Sequence, residues 1–274
     1  MYGSPMGSVS PVWLSHAPDP ALRRLVGSYV GYASNGGVPG VHCGLPSARP
    51  TIVVAFDRPI RVGWHSDPSG PRDFWMVAGG PHAVSVDVHH RGGHHGMQLS
   101  LSPAGSRALF GLPAAALAGE LVELVALITV DHDALAGASW DERFAMMDAA
   151  LLAAAARTPS RHAVSDELQY VWSLIMRSDG TVRVGDCANA VGWSRRRLLD
   201  RFTAEFGMAP KRAARVARLQ ASRRMLHGGE PLAGTAAACG YADQSHLTRE
   251  WVALTGHSPR RWLEAEGSRS TAAG

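Results

Sequence analysis

The chain has 274 residues, 46% apolar and 18% charged, a balance that suits one large globular domain or two ordinary ones and argues against wholesale disorder. Its longest apolar run, 145–156, is broken by Asp148 and falls short of the roughly 20 residues a spanning helix needs, so no membrane segment is expected. Cys43, Cys187 and Cys239 form no C-x-x-C pair, which excludes a disulfide framework or zinc ribbon. The start MYGSPMGSVSPVW lacks the basic-then-apolar pattern of a secretory signal, so a reducing cytoplasm is the expected compartment. The net charge of +4 hides an asymmetry: residues 1–176 carry −3, residues 177–262 carry +8, and the last twelve carry −1. A basic third attached to an acidic remainder suggests a segment that meets a polyanion.

The first hundred residues read as short strands punctuated by Gly, Pro and Asp, with 51–56, 60–64, 75–78, 84–88 and 97–101 the best candidates. A spacing of roughly ten residues favours an antiparallel barrel or sandwich over a parallel α/β sheet. The texture then turns helical: a short helix at 103–110, a stretch from 113 towards 127, and a strong helix at 141–156 that opens on acids and shares a face among Phe144, Met147 and Leu151. That helix can serve to pair two copies of the chain or pack on its own domain. Further helices are expected at 164–177, 186–191, 195–206, 210–226, 232–239 and 244–255. The predicted class is α+β. A β-rich N-terminal domain with trailing helices spans 1–157, a linker 158–163, an all-helical domain 164–266, and a frayed tail 267–274.

The helical half contains a duplication. Leu198, Phe202, Gly207 and Pro210 recur 49 residues later as Leu247, Trp251, Gly256 and Pro259. Each copy is a short Ala-rich helix, a glycine turn beside an aromatic residue, and a longer amphipathic helix. That is a helix-turn-helix pattern: glycine permits the turn, and alanines let the helices approach. Two such units in the basic part of the chain point to double-stranded DNA.

The string AAACGYADQSHLTR at 236–249, followed by GHSP at 256–259, resembles the second helix-turn-helix of the AraC-type transcription regulators, and with the first unit the resemblance covers about 161–266. It implies two units on one chain, joined by a long helix and entering successive major grooves. The 210–226 segment, about 25 Å long, can hold readers roughly one DNA turn apart. Carried over residue by residue, Gln244, Ser245 and Arg249 read base edges from the second unit, and Arg195, Arg196, Leu199 and Asp200 from the first. Gln suits adenine and Arg guanine. Asp200 departs from the family, which commonly has a basic residue there; it can accept from a cytosine amino group, restrain Arg196 four residues earlier, or face away. Phosphate contacts are expected from Arg201, Arg215, Thr248 and His246, the last alternatively a packing residue, and from Ser194, which most simply caps its helix. On the connecting helix, Lys211, Arg212, Arg215, Arg218, Arg223 and Arg224 divide between phosphate contacts and pairs within the domain. The resemblance further implies an N-terminal domain for a small-molecule effector or for dimerisation, contact with RNA polymerase, and a place at the nucleoid. The strings LPSARP at 45–50 and LSPAGSRALFG at 101–111 are similar to N-terminal domains of some actinobacterial regulators of this type.

One cluster supports a different class of function. His82, His89, His90, His94 and His95, with Asp87, are residue types that bind zinc or nickel, and a DNA-targeted enzyme or metal sensor would use them. The alternative is an exposed hairpin turn of permissive composition. Cys43 beside His42 shows no partners for thiol chemistry, and no nucleophile elbow, phosphate-binding glycine loop or H-E-x-x-H occurs. The expectation is therefore a non-enzymatic binding protein with no cofactor and no metal.

Overall fold

The structure is a computed structural model and describes residues 12–34, 39–65, 67–158 and 163–264. Among these, the N-terminal half forms β1 (Val12–His16), β2 (Val26–Ser34), β3 (Gly40–Gly44), β4 (Thr51–Ala55), β5 (Ile60–Trp64), β6 (Arg72–Phe74), β7 (Met76–Gly79), β8 (Val86–His90), β9 (His94–Leu101) and β10 (Leu121–Glu123). Helix α1 (Pro103–Phe110) precedes β10, and α2 (His132–Gly137) and α3 (Trp140–Arg157) follow it. The strands build two antiparallel sheets, one of six in the order β1-β2-β9-β4-β7-β10 and one of four in the order β3-β8-β5-β6.

Side-chain alternation explains how the layers stack, since successive residues of a strand point to opposite faces. Ile52 and Val54 of β4, and Met76 and Ala78 of β7, join the core beneath the helices. Their neighbours Val53 and Val77 pack instead against Val62, Phe74 and Val86 of the four-stranded sheet. The central strands are thus covered on both faces and read as near-continuous apolar runs. Helix α3 closes the helical layer through Phe144, Met147, Leu151 and Ala154. Its apolar face is spent on its own domain, which removes the reason for giving it a role in pairing two chains.

Two expectations need correction. The stretch 113–127 is not a helix but a 3-10 turn (Ala114–Leu117), strand β10 and a second 3-10 turn (Leu124–Ala126). Gly119 takes a left-handed φ of 74° that stops the first turn, and Leu121–Glu123 then satisfies the open edge of β7. Residues 89–95 are likewise not a hairpin. His90 ends a strand of one sheet and His94 begins a strand of the other, so the segment crosses between layers.

The second half comprises α4 (Asp166–Arg177), α5 (Val184–Ala190), α6 (Arg195–Phe206), α7 (Pro210–His227), α8 (Leu232–Ala238) and α9 (Gln244–Thr255), with a further helical turn over 259–264. It holds two cores. Leu168, Val171, Trp172 and Ile175 of α4 meet Leu198, Phe202 and Phe206 of α6 in the first; Leu247, Trp251 and Leu254 of α9 meet Tyr241 and Trp262 in the second. Helix α7 belongs to both, giving Ala213, Val216 and Ala217 to the first and Leu219, Ala221 and Leu226 to the second. Linker residues 159–162 and the tail 267–274 lie outside the described residues.

Candidate nucleic-acid interface

The repeat in sequence is a repeat in structure. Helix α6 starts where Ser194 Oγ accepts the Arg197 amide at 3.1 Å, and α9 starts where Asp243 Oδ1 accepts the His246 amide at 2.6 Å. Both end on a left-handed glycine, Gly207 at φ 73° and Gly256 at φ 74°, whose amides return to the carbonyls of Thr203 and Val252. The turns before them use Gly192 and Gly240, also left-handed. Leu198 and Phe202 on α6, and Leu247 and Trp251 on α9, are completely buried, so the opposite faces are left to solvent.

Those faces carry most of the expected readers. Arg195, Arg196, Leu199, Asp200 and Arg201 on α6, and Gln244, Ser245 and Arg249 on α9, are all exposed. Asp200 pairs with Arg196: its carboxylate accepts from Nε at 2.9 Å, with both side chains mostly open to water. Arg249 makes no ion pair with any described residue. Arg195 bends back over α5, where its guanidinium lies against Gly185. Thr248 donates to the Gln244 carbonyl of its own helix at 3.0 Å. Half-buried His246 accepts the Ala242 amide through Nδ1 at 3.2 Å and packs edge-on to Tyr241, so one side of its ring serves the turn.

The cations of α7 separate cleanly. Arg215 forms a two-point pair with Glu250 at 2.7 and 3.2 Å, clamping the connecting helix to α9. Arg218 donates to the Gly180 carbonyl at 2.9 Å and lies over the Tyr241 ring. Arg224 pairs with Asp179 at 2.7 Å, and Arg223 lies over Trp262, where burial and the neighbouring Arg224 charge lower its pKa. Lys211 and Arg212 remain exposed, at the start of the helix. Arg215, expected on a phosphate, is thus engaged inside the domain.

Residues 187–265 match the family model for a helix-turn-helix domain of the AraC type. The C-terminal region is an AraC-type helix-turn-helix domain. The whole chain resembles ToxT from Vibrio cholerae, with a TM-score of 0.54 and 11% identity over 86% of this chain and 97% of that one. ToxT of strain SCE256 bound to an unsaturated fatty acid aligns with a TM-score of 0.55 and 10% identity over 90% and 96% of the two chains. ToxT of strain O395 bound to (E)-4-(8-methylnaphthalen-1-yl)but-3-enoic acid aligns at 0.54 and 10% over 93% and 98%. At such identities the likeness is one of fold. A search of curated proteins finds no match.

The AraC-type domain has contacts that no local pattern announces. Helix α6 is held by the N-terminal half: Arg107 of α1 donates Nε and Nη2 to the buried Glu205 carboxylate, each at 2.7 Å in its shorter contact. This pairing raises the Arg107 pKa further. Gly207 lies directly against Ala115 and Ala118. Helix α9 is held at its end, where the Thr255 carbonyl accepts Ser85 Oγ at 3.2 Å and Cys43 Sγ at 3.8 Å. Gln220 of α7 donates to the Pro46 carbonyl at 3.1 Å. The repeat offset does contain one signal that a helix-by-helix reading passes over: Thr203 and Val252, equivalent and exposed, extend the two solvent-facing surfaces by one turn.

The five histidines do not converge on one point, although the rings of His90 and His94 lie 4.9 Å apart. His82 donates Nδ1–H to the Gly80 carbonyl at 3.0 Å and rests on Trp64, and burial lowers its pKa. His95 contacts Arg143 at 2.9 Å between Phe56 and Trp140; burial, then the Arg143 charge, lowers its pKa. His65, not His89, contacts Asp87. Among the described residues no group of three or more His, Cys, Asp or Glu is placed to hold a metal ion, and no helix is long and apolar enough to cross a membrane.

Proposed function

We propose that the chain is a sequence-specific transcription regulator whose α6 and α9 enter successive major grooves of double-stranded DNA, while the N-terminal domain, within 1–157, responds to a small-molecule effector. The observation that carries this is the pair of equivalently capped helices, each buried on one face and exposing base-competent side chains on the other. Arg195, Arg196, Leu199, Asp200, Gln244, Ser245 and Arg249 form the base-reading set. Ser194, Arg201 and His246 serve phosphates, joined by Lys211 and Arg212; Arg215 is assigned to holding α9, and Thr248, expected on a phosphate, gives its hydroxyl proton to the Gln244 carbonyl instead. One chain of about 27 Å connecting helix already spans two grooves, so DNA reading does not require a dimer. Contact with RNA polymerase follows from the family, as does action at the nucleoid. The chemistry is binding rather than catalysis.

For the effector, support comes from the fold shared with ToxT, whose ligands in the two liganded structures are carboxylic acids with apolar bodies. Arg49, half-buried with its guanidinium beside Gly27 of β2 and in no ion pair with a described carboxylate, is a cation suited to such a group. The full chain, incubated with random-sequence DNA, should enrich a motif and lose affinity steeply with salt through counterion release. Failure to enrich any motif at low salt refutes DNA reading. Addition of an unsaturated fatty acid should change that affinity; an unchanged affinity together with no thermal shift counts against this effector class.

A further inference from the structure

We propose that the two reading helices ask for unlike half-sites, and that Asp200 sets the difference. The proposal rests on the DNA-reading function above and names what that function recognises. The equivalent caps and terminal glycines put α6 and α9 in register, so the 49-residue offset compares side chains at equal depth. Arg196 stands where α9 has Ser245, Leu199 where it has Thr248, Asp200 where it has Arg249, and Thr203 where it has Val252. In α9 the guanidinium comes from the second turn, behind a small serine. In α6 it comes one turn earlier and an acid follows it.

Four residues of helix correspond to about 6 Å, close to two base-pair steps. The guanine met by Arg196 is therefore displaced by about that much, relative to its helix, from the guanine met by Arg249. The ion pair biases the presentation. Asp200 takes Arg196 through Nε, which leaves Nη1 and Nη2 available for the O6 and N7 acceptors of a guanine. Asp200 itself is acceptor-only, so it takes an exocyclic amino group of cytosine or adenine and rejects guanine, whose major-groove edge offers acceptors alone. Leu199, 42% exposed, adds apolar surface suited to a thymine methyl, whereas its counterpart Thr248 turns its hydroxyl back onto its own helix. A duplicated protein unit thus reads a site that is not a direct repeat.

The test is selection from random DNA by the full chain in three forms: wild type, Asp200→Asn, and Arg196→Ser with Asp200→Arg, which gives α6 the α9 arrangement. Wild type should yield two dissimilar halves, with guanine excluded at one position of the first. Asp200→Asn, able to donate, should relax that exclusion about tenfold. The double variant should draw the first half towards the second. Recovery of the unaltered second half shows in each case that the protein is folded and bound. Identical halves from wild type, or a first half unmoved in both variants while the second is recovered, overturns the proposal. No motif from the wild type refutes the DNA-reading function itself.

Discussion

An arginine confers base selectivity through the guanidinium nitrogens that the protein has not already satisfied. Arg249 is exposed and makes no ion pair with a described residue, so Arg249→Ala should cost about 1–3 kcal/mol on the selected site and relax one base position, with little change on scrambled DNA. Binding of both DNAs at fixed salt checks this; equal losses would make Arg249 a backbone contact. Arg215 has the opposite character. Its two-point contact with Glu250 is about one-third exposed on the arginine side, which limits the pair to roughly 1 kcal/mol of coupling. A double-mutant cycle of Arg215→Ala and Glu250→Ala in thermal unfolding should recover that coupling. The salt slope of DNA binding should stay unchanged in Arg215→Ala but fall by about one in Lys211→Ala, since only the latter removes a phosphate contact.

At the scale of elements, the two terminal glycines give a controlled comparison. Both need a left-handed backbone, so alanine at either costs about 1 kcal/mol or somewhat more. A Cβ at Gly256 would lie 3.4 Å from the His65 ring, an ordinary contact, whereas one at Gly207 would come within 2.3 Å of the Ala118 Cβ and 3.0 Å of Ala115. Gly207→Ala should therefore lower the unfolding midpoint well beyond Gly256→Ala; equal shifts would mean that the turn of 114–117 moves aside freely. The helical half was legible because its signals are local: caps, glycine turns and apolar spacing set α6 and α9 to the residue. Strands β2 and β3 were not, because Gly27, Gly31, Gly40 and Gly44 dilute their pattern and pairing with β9 and β8 supplies what propensity lacks; β1, only five residues long, is set by its pairing with β2. The candidate readers were legible from the repeat, but the engagement of Arg215 with Glu250, 35 residues away, depends on how α7 crosses α9.

For the whole molecule, the decisive ties are those between the halves. Glu205 is almost fully buried, so Arg107→Ala strands a carboxylate and should cost about 3 kcal/mol, with Glu205→Gln milder because the amide is neutral. Calorimetry should show one transition in the wild type separating towards two in Arg107→Ala, as domain coupling weakens. Acid should act on the same assembly. His82 and His95 sit below the ordinary imidazole value in the fold, so the unfolded chain takes up the extra protons as pH falls through about 6.5. Stability is fully present above that value and decreases below it, levelling once the folded-state values are passed. The unfolding midpoint should be lower at pH 5.5 than at 7.5, and His95→Gln should flatten part of that slope; an unchanged slope in both His82→Gln and His95→Gln would assign the acid sensitivity to other groups.

The seat of Gly207 on Ala115 and Ala118 also limits how such a chain can be recombined. A chimera that joins this N-terminal half to another reader domain brings Ala118 against whatever side chain stands at 207, and leaves Arg107 facing whatever replaces Glu205. Exchange of the halves as ready-made modules therefore requires positions 107, 115, 118 and 205 to travel with the glycine, beside the ties of Ser85 to Thr255 and of Gln220 to Pro46. The outer faces of α6 and α9 carry no such obligation, since Leu199, Thr203 and Val252 are exposed and apart from those ties. On the proposed reading, new DNA targets are reached by substitution in place on those faces, with the joint between the halves kept whole.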